Sequence, residues 1–212
     1  GAGVMGAQIA AHLVNSGVPA VLFELAAKEG PRNGLVDNAI AGLAKLSPSP
    51  LGTKGVAAEI VGANYDDHLE LLRGCDLIIE AVAERMDIKL SLYSKIAPYV
   101  NENAVVASNT SGLSITKLAD ALPDTLKPRF CGIHFFNPPR YMHLVELIPT
   151  SSTDPATMDM LESYVTSTLG KRVVRAKDTP NFIGNRIGVF SIAATMYHTE
   201  KFGLGFDVVD AL

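Results

Sequence analysis

Cysteine occurs twice in the 212 residues, at Cys75 and Cys131, with no second thiol near either in sequence. A disulfide framework or a zinc site is therefore unsupported, and both thiols are expected to be small core residues in a reduced interior. Runs of lysine and arginine are also missing, and the formal net charge is −4. Nucleic acid or an acidic membrane surface is thus a poor match as the main partner. No apolar run is long and charge-free enough to span a bilayer. No charged leader precedes an apolar segment at the start, although the chain opens inside a motif, so a leader could lie ahead of it. The composition is neither disordered nor fibrous, and the length suits one large domain, or one domain and part of another.

Against that plain background, Phe130 to Ile148 (FCGIHFFNPPRYMHLVELI) places two ionisable groups where a core should be. Side chains alternate along a strand, so Phe130, His134 and Phe136 share one face, and Met142, Leu144, Glu146 and Ile148 share a face of the next strand. Should Asn137-Pro138-Pro139-Arg140 turn the chain back, a hairpin centred near Arg140 sets Glu146 opposite His134. A carboxylate on one ring nitrogen fixes the tautomer of an imidazole and stabilises the imidazolium formed when the other nitrogen takes a proton. A core histidine held by a backbone carbonyl, beside an unrelated glutamate, fits this stretch as well when it is taken alone.

The first six residues, Gly1-Ala2-Gly3-Val4-Met5-Gly6, match G-x-G-x-x-G, and Met5, Ile9 and Leu13 then repeat every four residues as on one helix face, with Gly17 as the C-terminal glycine. In such a motif the first glycine permits a tight turn, the second admits a pyrophosphate close to the backbone, and the third lets helix pack on strand. Free N–H groups at the helix start hold the phosphates. Pro19 to Glu24 reads as a strand ending in an acid at about the spacing, ~20 residues, where a carboxylate accepts bonds from the adenine ribose. Glu24 would repel a 2′-phosphate, which predicts NAD over NADP.

Residues 26–63 read as a helical excursion broken by Pro31, Pro48, Pro50, Gly52 and Gly55, and Lys28, Arg32, Lys45 and Lys54 receive no role. Asp76 to Val82 is a nearly continuous apolar run of the kind found in buried parallel strands. A helix marked by Ile88, Leu92 and Ile96 follows, then a second buried strand over 104–107. Recurring strand, helix, strand predicts a doubly wound, mainly parallel α/β sheet of Rossmann type, whose ligands bind beyond the carboxyl ends of the strands. Glu84, Lys89, Ser108, Asn109, Thr110 and Ser111 fall at or past such ends. Ser111 and Ser114 are equally candidate helix caps. Met158, Leu161, Val165 and Leu169 trace an amphipathic helix closed by Gly170, and 171–177 reads as a strand near a sheet edge. From Phe182 a helix with Ile183, Ile187, Phe190 and Ala194 on one face has no partner in view, so residues 1–180 are expected to form one domain and 181–212 to begin a second, helical one. Asn185 lies near that junction, where a cleft would form.

Taken together, GAGVMG from Gly1, EAVAE from Glu80, SNTS from Ser108, HFFNP from His134 with Glu146 following, and KDTPNFIGNR from Lys177 resemble the 3-hydroxyacyl-CoA dehydrogenase family, in its bacterial fatty-acid oxidation form. The resemblance covers nearly the whole chain in order. It implies an NAD cofactor, an acyl-CoA substrate and a cytoplasmic location. His134 would be the base that removes the 3-hydroxyl proton while C3 gives hydride to the nicotinamide, with Glu146 orienting it. Ser111 and Asn185 would hold the substrate oxygens. Glu84, Lys89, Ser111 and Asn137 would surround the nicotinamide half of the cofactor, Glu24 the adenine ribose, and Gly1, Gly3, Val4, Met5 and Gly6 the phosphates. Relatives have a strand before the glycine motif and a helical domain that completes the cleft and carries a homodimer contact. Some are fused to a hydratase module. Two other classes stay open: a non-catalytic dinucleotide-binding relative, and a dehydrogenase of a smaller hydroxy acid without CoA.

Overall fold

Elementary patterning accounts for most of the elements in the computed structural model, which describes residues 1–211. Helix α1 spans Val4–Asn15 and strand β1 Ala20–Glu24, with Gly17 between them at φ +73°, a conformation open to glycine at little strain. Helix α2 (Gly34–Gly42) and strand β2 (Ile60–Asn64) follow, then β3 (Leu77–Glu80), α3 (Met86–Ile96), β4 (Val105–Ser108) and the short α4 (Ile115–Ala119). Strands β5 (Phe130–Phe135) and β6 (Leu144–Pro149) precede α5 (Pro155–Ser167) and β7 (Arg172–Arg175). Helices α6 (Gly184–Phe202) and α7 (Phe206–Ala211) end the described chain.

Strands β3, β4 and β5 run parallel, β6 pairs antiparallel with β5, and β7 lies parallel to β6 at the edge. One apolar layer, formed by Tyr93, Ile96, Ile115, Leu118, Phe130, Ile148 and Phe182, packs α3 and α4 on one face of the sheet. The opposite layer, with Ile9, Ile133, Phe135, Val145, Leu147, Leu161 and Val165, packs α1 and α5 on the other. The fold is therefore a doubly wound, Rossmann-like α/β sheet followed by helical segments, as the periodicity predicts.

Three local expectations need correction. The excursion assigned to 26–63 conceals the start of β2, which pairs parallel with β1 from Ala20↔Ile60 to Glu24↔Asn64. Its sequence, Ile-Val-Gly-Ala-Asn, is short and lies directly after a 3-10 turn, so no period stands out. Cys131 is fully buried, and burial pushes its thiol up to about 12, whereas Cys75 is only half-buried rather than a core residue. Lys89 does not stand at a strand end. It lies inside α3 and is 1% exposed.

Strands β1 and β2 form a separate two-stranded sheet that does not pair with β3. Between β1 and β3 lies a cavity of about 620 Å³, lined by Ala20–Phe23 and Leu77–Glu80, with Ile9 and Leu161 also in its wall. No helix among the described residues is long and apolar enough to cross a membrane.

Candidate active site

The carboxyl ends of four parallel strands converge on one edge of the molecule and bring their polar residues there: Glu24 from β1, Glu80 from β3, Ser108 from β4 and His134 from β5. Beyond β1 and β2 the glycine motif opens α1. A Cβ on Gly6 would lie 1.8 Å from the Gly1 carbonyl oxygen, and one on Gly1 would lie 2.8 Å from the Ala81 oxygen, so both positions exclude a side chain. Nothing lies within 4 Å of the corresponding point on Gly3. Gly3 is the N-cap of α1 and offers no side-chain cap, which leaves the first amides of a 12-residue helix open to an anion. Val4 is exposed beside it and Met5 packs inward on the α1–α5 layer. Glu24 accepts from the Ala2 amide at 2.7 Å, placing its carboxylate against the motif.

Strand register sets the central pair. Hairpin β5–β6 aligns His134 with Glu146, and Nδ1 of His134 lies 2.7 Å from Oε2 of Glu146. Both side chains are buried, on the face shared with Phe130 and Ile148. Nε2 of His134 makes no hydrogen bond among the described residues. The aromatic rings of Phe136 and Phe182 lie with centroids 4.5 and 5.7 Å from the imidazole. The turn between the strands is held by buried Lys171, whose ammonium donates to the carbonyls of Pro139 and Met142. Met142 is exposed, because β6 begins only at Leu144.

Glu146 has a second set of contacts invisible in its own strand pattern. Its Oε1 accepts from the amides of Ile183 at 2.9 Å and Gly184 at 2.8 Å, at the N-terminus of α6. One carboxylate thus joins the imidazole to the first turn of the helical segment. Asn181 and Phe182 carry positive φ values of 63° and 46° at that junction. Next to it Asn185 donates to the Ser111 carbonyl at 3.5 Å, so these two residues, far apart in sequence, meet.

Ser111 is exposed and its amide is held by Glu84 Oε1 at 2.9 Å, as is that of Gly112 at 3.2 Å. Thr110 donates its hydroxyl to the same oxygen. Burial raises the Glu84 pKa, yet the Thr110 hydroxyl, the Lys89 charge and the two amides outweigh burial and hold it below the ordinary carboxylate value. Ser114 rather than Ser111 caps α4, and Asp178 reinforces that cap by accepting from Ser114, Ile115 and Thr116. Asn109, read only as part of a polar cluster, accepts from the Phe135 amide at 2.9 Å and extends the β4–β5 pairing beyond its last residue pair. Asn137 sits against α1, where Gln8 donates to it at 3.4 Å.

Sequence reasoning missed Glu80. It is 3% exposed and accepts four hydrogen bonds, including one from Lys89 at 2.6 Å. The signal was present, since a single acid interrupts the apolar run over 77–82.

A glycine-lined helix start and a strand-end acid one strand away, in a doubly wound sheet, define a dinucleotide-binding domain, with a buried histidine–carboxylate pair beside it. The family model for the 3-hydroxyacyl-CoA dehydrogenase NAD binding domain matches residues 1–179, and the chain belongs to that family. It is 40% identical over its full length to a probable 3-hydroxyacyl-CoA dehydrogenase of Deinococcus radiodurans, of which it covers 62%. It is 45% identical to a putative fatty acid oxidation complex trifunctional enzyme of Rickettsia felis, of which it covers 30%. The chain therefore spans less than two thirds of these relatives. Among solved structures, (S)-3-hydroxybutyryl-CoA dehydrogenase from Ralstonia eutropha superposes with a TM-score of 0.78 at 33% identity, covering 97% of this chain and 71% of that one.

Proposed function

We propose that the protein to which this chain belongs oxidises (S)-3-hydroxyacyl-CoA to 3-ketoacyl-CoA with NAD, as a step of fatty-acid oxidation. The observation that carries the reading is the buried His134–Glu146 pair, aligned by strand register and lying beside a glycine-lined cofactor cradle. The residues present fit the cofactor: open space at Gly3, excluded side chains at Gly1 and Gly6, and the Glu24 carboxylate against the motif. Bound NAD would supply the hydride acceptor for C3 of the substrate.

His134 does the proton chemistry. With Nδ1 engaged by Glu146, its Nε2 takes the proton from the 3-hydroxyl as the carbonyl forms, and Glu146 balances the charge that develops on the ring. Ser111 and Asn185 form a polar wall suited to the substrate oxygens. Glu84, Lys89 and Asn137 surround the nicotinamide half, and Glu24 binds the adenine ribose and disfavours a 2′-phosphate.

Two proposals concern the longer protein. The cavity between β1 and β3 is the seat of a parallel strand that runs into Gly1. The exposed apolar side chains of α6, among them Ile187, Phe190 and Ile192, pack on further helices that complete the cleft and carry a homodimer contact. Sedimentation of the longer protein as a monomer would remove the dimer.

The deciding experiment follows NADH oxidation by absorbance with acetoacetyl-CoA, comparing the protein with its His134→Ala variant. Turnover by the first and its loss in the second is the expected result. Turnover on a free hydroxy acid and none on the thioester would replace the substrate assignment. NADH binding without any turnover in the longer protein would point to a non-catalytic relative.

A further inference from the structure

Lys89 is one of the most deeply buried side chains in the protein, and a buried ammonium needs a fixed anionic partner. Glu80 meets that need: its Oε1 lies 2.6 Å from Lys89 Nζ and also accepts from the Val82 amide at 2.8 Å. Its Oε2 accepts from the Tyr93 hydroxyl at 3.0 Å and the Ser108 hydroxyl at 2.7 Å. Every lone-pair direction of the carboxylate is thus engaged by α3, by β4 or by the amide two residues past β3, and its place is set by three segments at once. From Lys89 the chain of contacts continues outward to Glu84 Oε2 at 3.4 Å, and Glu84 in turn holds the amides of Ser111 and Gly112. The Tyr93 hydroxyl, pushed well above its usual pKa by burial and by the Glu80 carboxylate, remains a donor throughout the working range.

We propose that Glu80 is a positioning residue of the cofactor site, acting through Lys89 to hold Glu84, and the Ser111 backbone beyond it, around the nicotinamide half of NAD. This rests on the dehydrogenase reading above. Glu80 touches neither substrate nor cofactor; it decides where the groups that do so stand. With a neutral amide in its place, Glu84 is, among the described residues, the one carboxylate left within reach of the Lys89 ammonium. Lys89 then draws toward Glu84 and pulls it from the Ser111 and Gly112 amides, loosening the nicotinamide side, whereas Glu80 meets the segment packed on the glycine motif through the Val82 amide, which a glutamine oxygen still accepts.

That asymmetry supplies the test. Calorimetric titration of the longer protein with NADH and, separately, with ADP-ribose, which lacks the nicotinamide, compares the parent with Glu80→Gln. The expected result is roughly a tenfold weakening for NADH and a change within about twofold for ADP-ribose. Equal weakening of both would make Glu80 a general structural residue and overturn the inference, as would no change in either. Tyr93→Phe removes one bond to Glu80 and leaves Lys89 in place; it should show the same selectivity in smaller measure, and it carries the test if Glu80→Gln does not fold. A parent that binds ADP-ribose and not NADH overturns the inference alone, whereas a parent that binds neither removes the cofactor reading and the inference with it.

Discussion

Glu146 shows how much can depend on one carboxylate. Its two oxygens have separate duties, Oε2 toward the imidazole and Oε1 toward the first amides of α6. A glutamine there has one acceptor and one donor end. The two backbone amides claim the oxygen, so the NH2 group faces His134 Nδ1, which must then be the acceptor. The ring proton moves to Nε2, and the atom proposed to receive the substrate proton already carries one. Glu146→Gln is therefore expected to lower turnover by on the order of 10²–10⁴-fold, the span of general-base contributions, with NADH affinity nearly unchanged. Kinetics beside a binding titration check this, and a parallel loss of NADH affinity would make Glu146 a structural group. The sequence places the pair because its two members sit equally far from Arg140. The α6 amides are out of reach of any such count, because 37 residues separate Glu146 from Ile183.

At the level of elements, the site is a product of strand ends and of the segments that follow them. Periodicity locates α1, β1, β3, α3, β4, α5 and β7, whose apolar faces are long or sharply bounded. It misses β2, whose five residues carry one glycine and end in Asn64, a buried amide that bonds Asn33 and Asp67 rather than the core. The cavity between β1 and β3 is likewise an element-scale feature. Backbone groups on two facing strand edges are satisfied best by another strand, which is the role proposed for the segment running into Gly1. In the longer protein the amides of β1 and β3 should then exchange with solvent slowly, as those of central strands do. Hydrogen exchange measured by mass spectrometry tests this, and rapid exchange across both strands would empty the gap of its proposed strand.

For the molecule as a whole, stability should depend on pH through a residue outside the active site. His12, on the inner face of α1, is buried with Nε2 against the Leu169 carbonyl at 3.0 Å and with Nδ1 lacking a hydrogen-bond partner among the described residues. Burial, and then the nearby Lys171 charge, lower its pKa from the ordinary 6.5. The folded protein thus resists a proton that the unfolded chain accepts. The contribution of His12 is complete above pH 6.5 and is lost progressively as pH falls from 6.5 toward the lower folded value. Melting temperature followed from pH 7 to about 5 should decline, and His12→Gln should remove the part of that decline owed to this residue. An identical decline in the variant would place the sensitivity elsewhere.

What the sequence determined by itself was whatever depends on spacing along the chain. The glycine motif and its acid one strand later, the sheet class, the hairpin register and the hairpin's two ionisable groups are all local patterns. Each follows from a period of 2 or 3.6, or from a turn at a countable position. Tertiary structure alone decided which of these groups share an atom. It seated Glu80 beneath Lys89, met Ser111 with Asn185, and set the Glu146 carboxylate on the start of α6. The reason is physical: a buried charge must find every partner its lone pairs require, and those partners come from whichever elements the sheet order brings near, at sequence distances no period encodes.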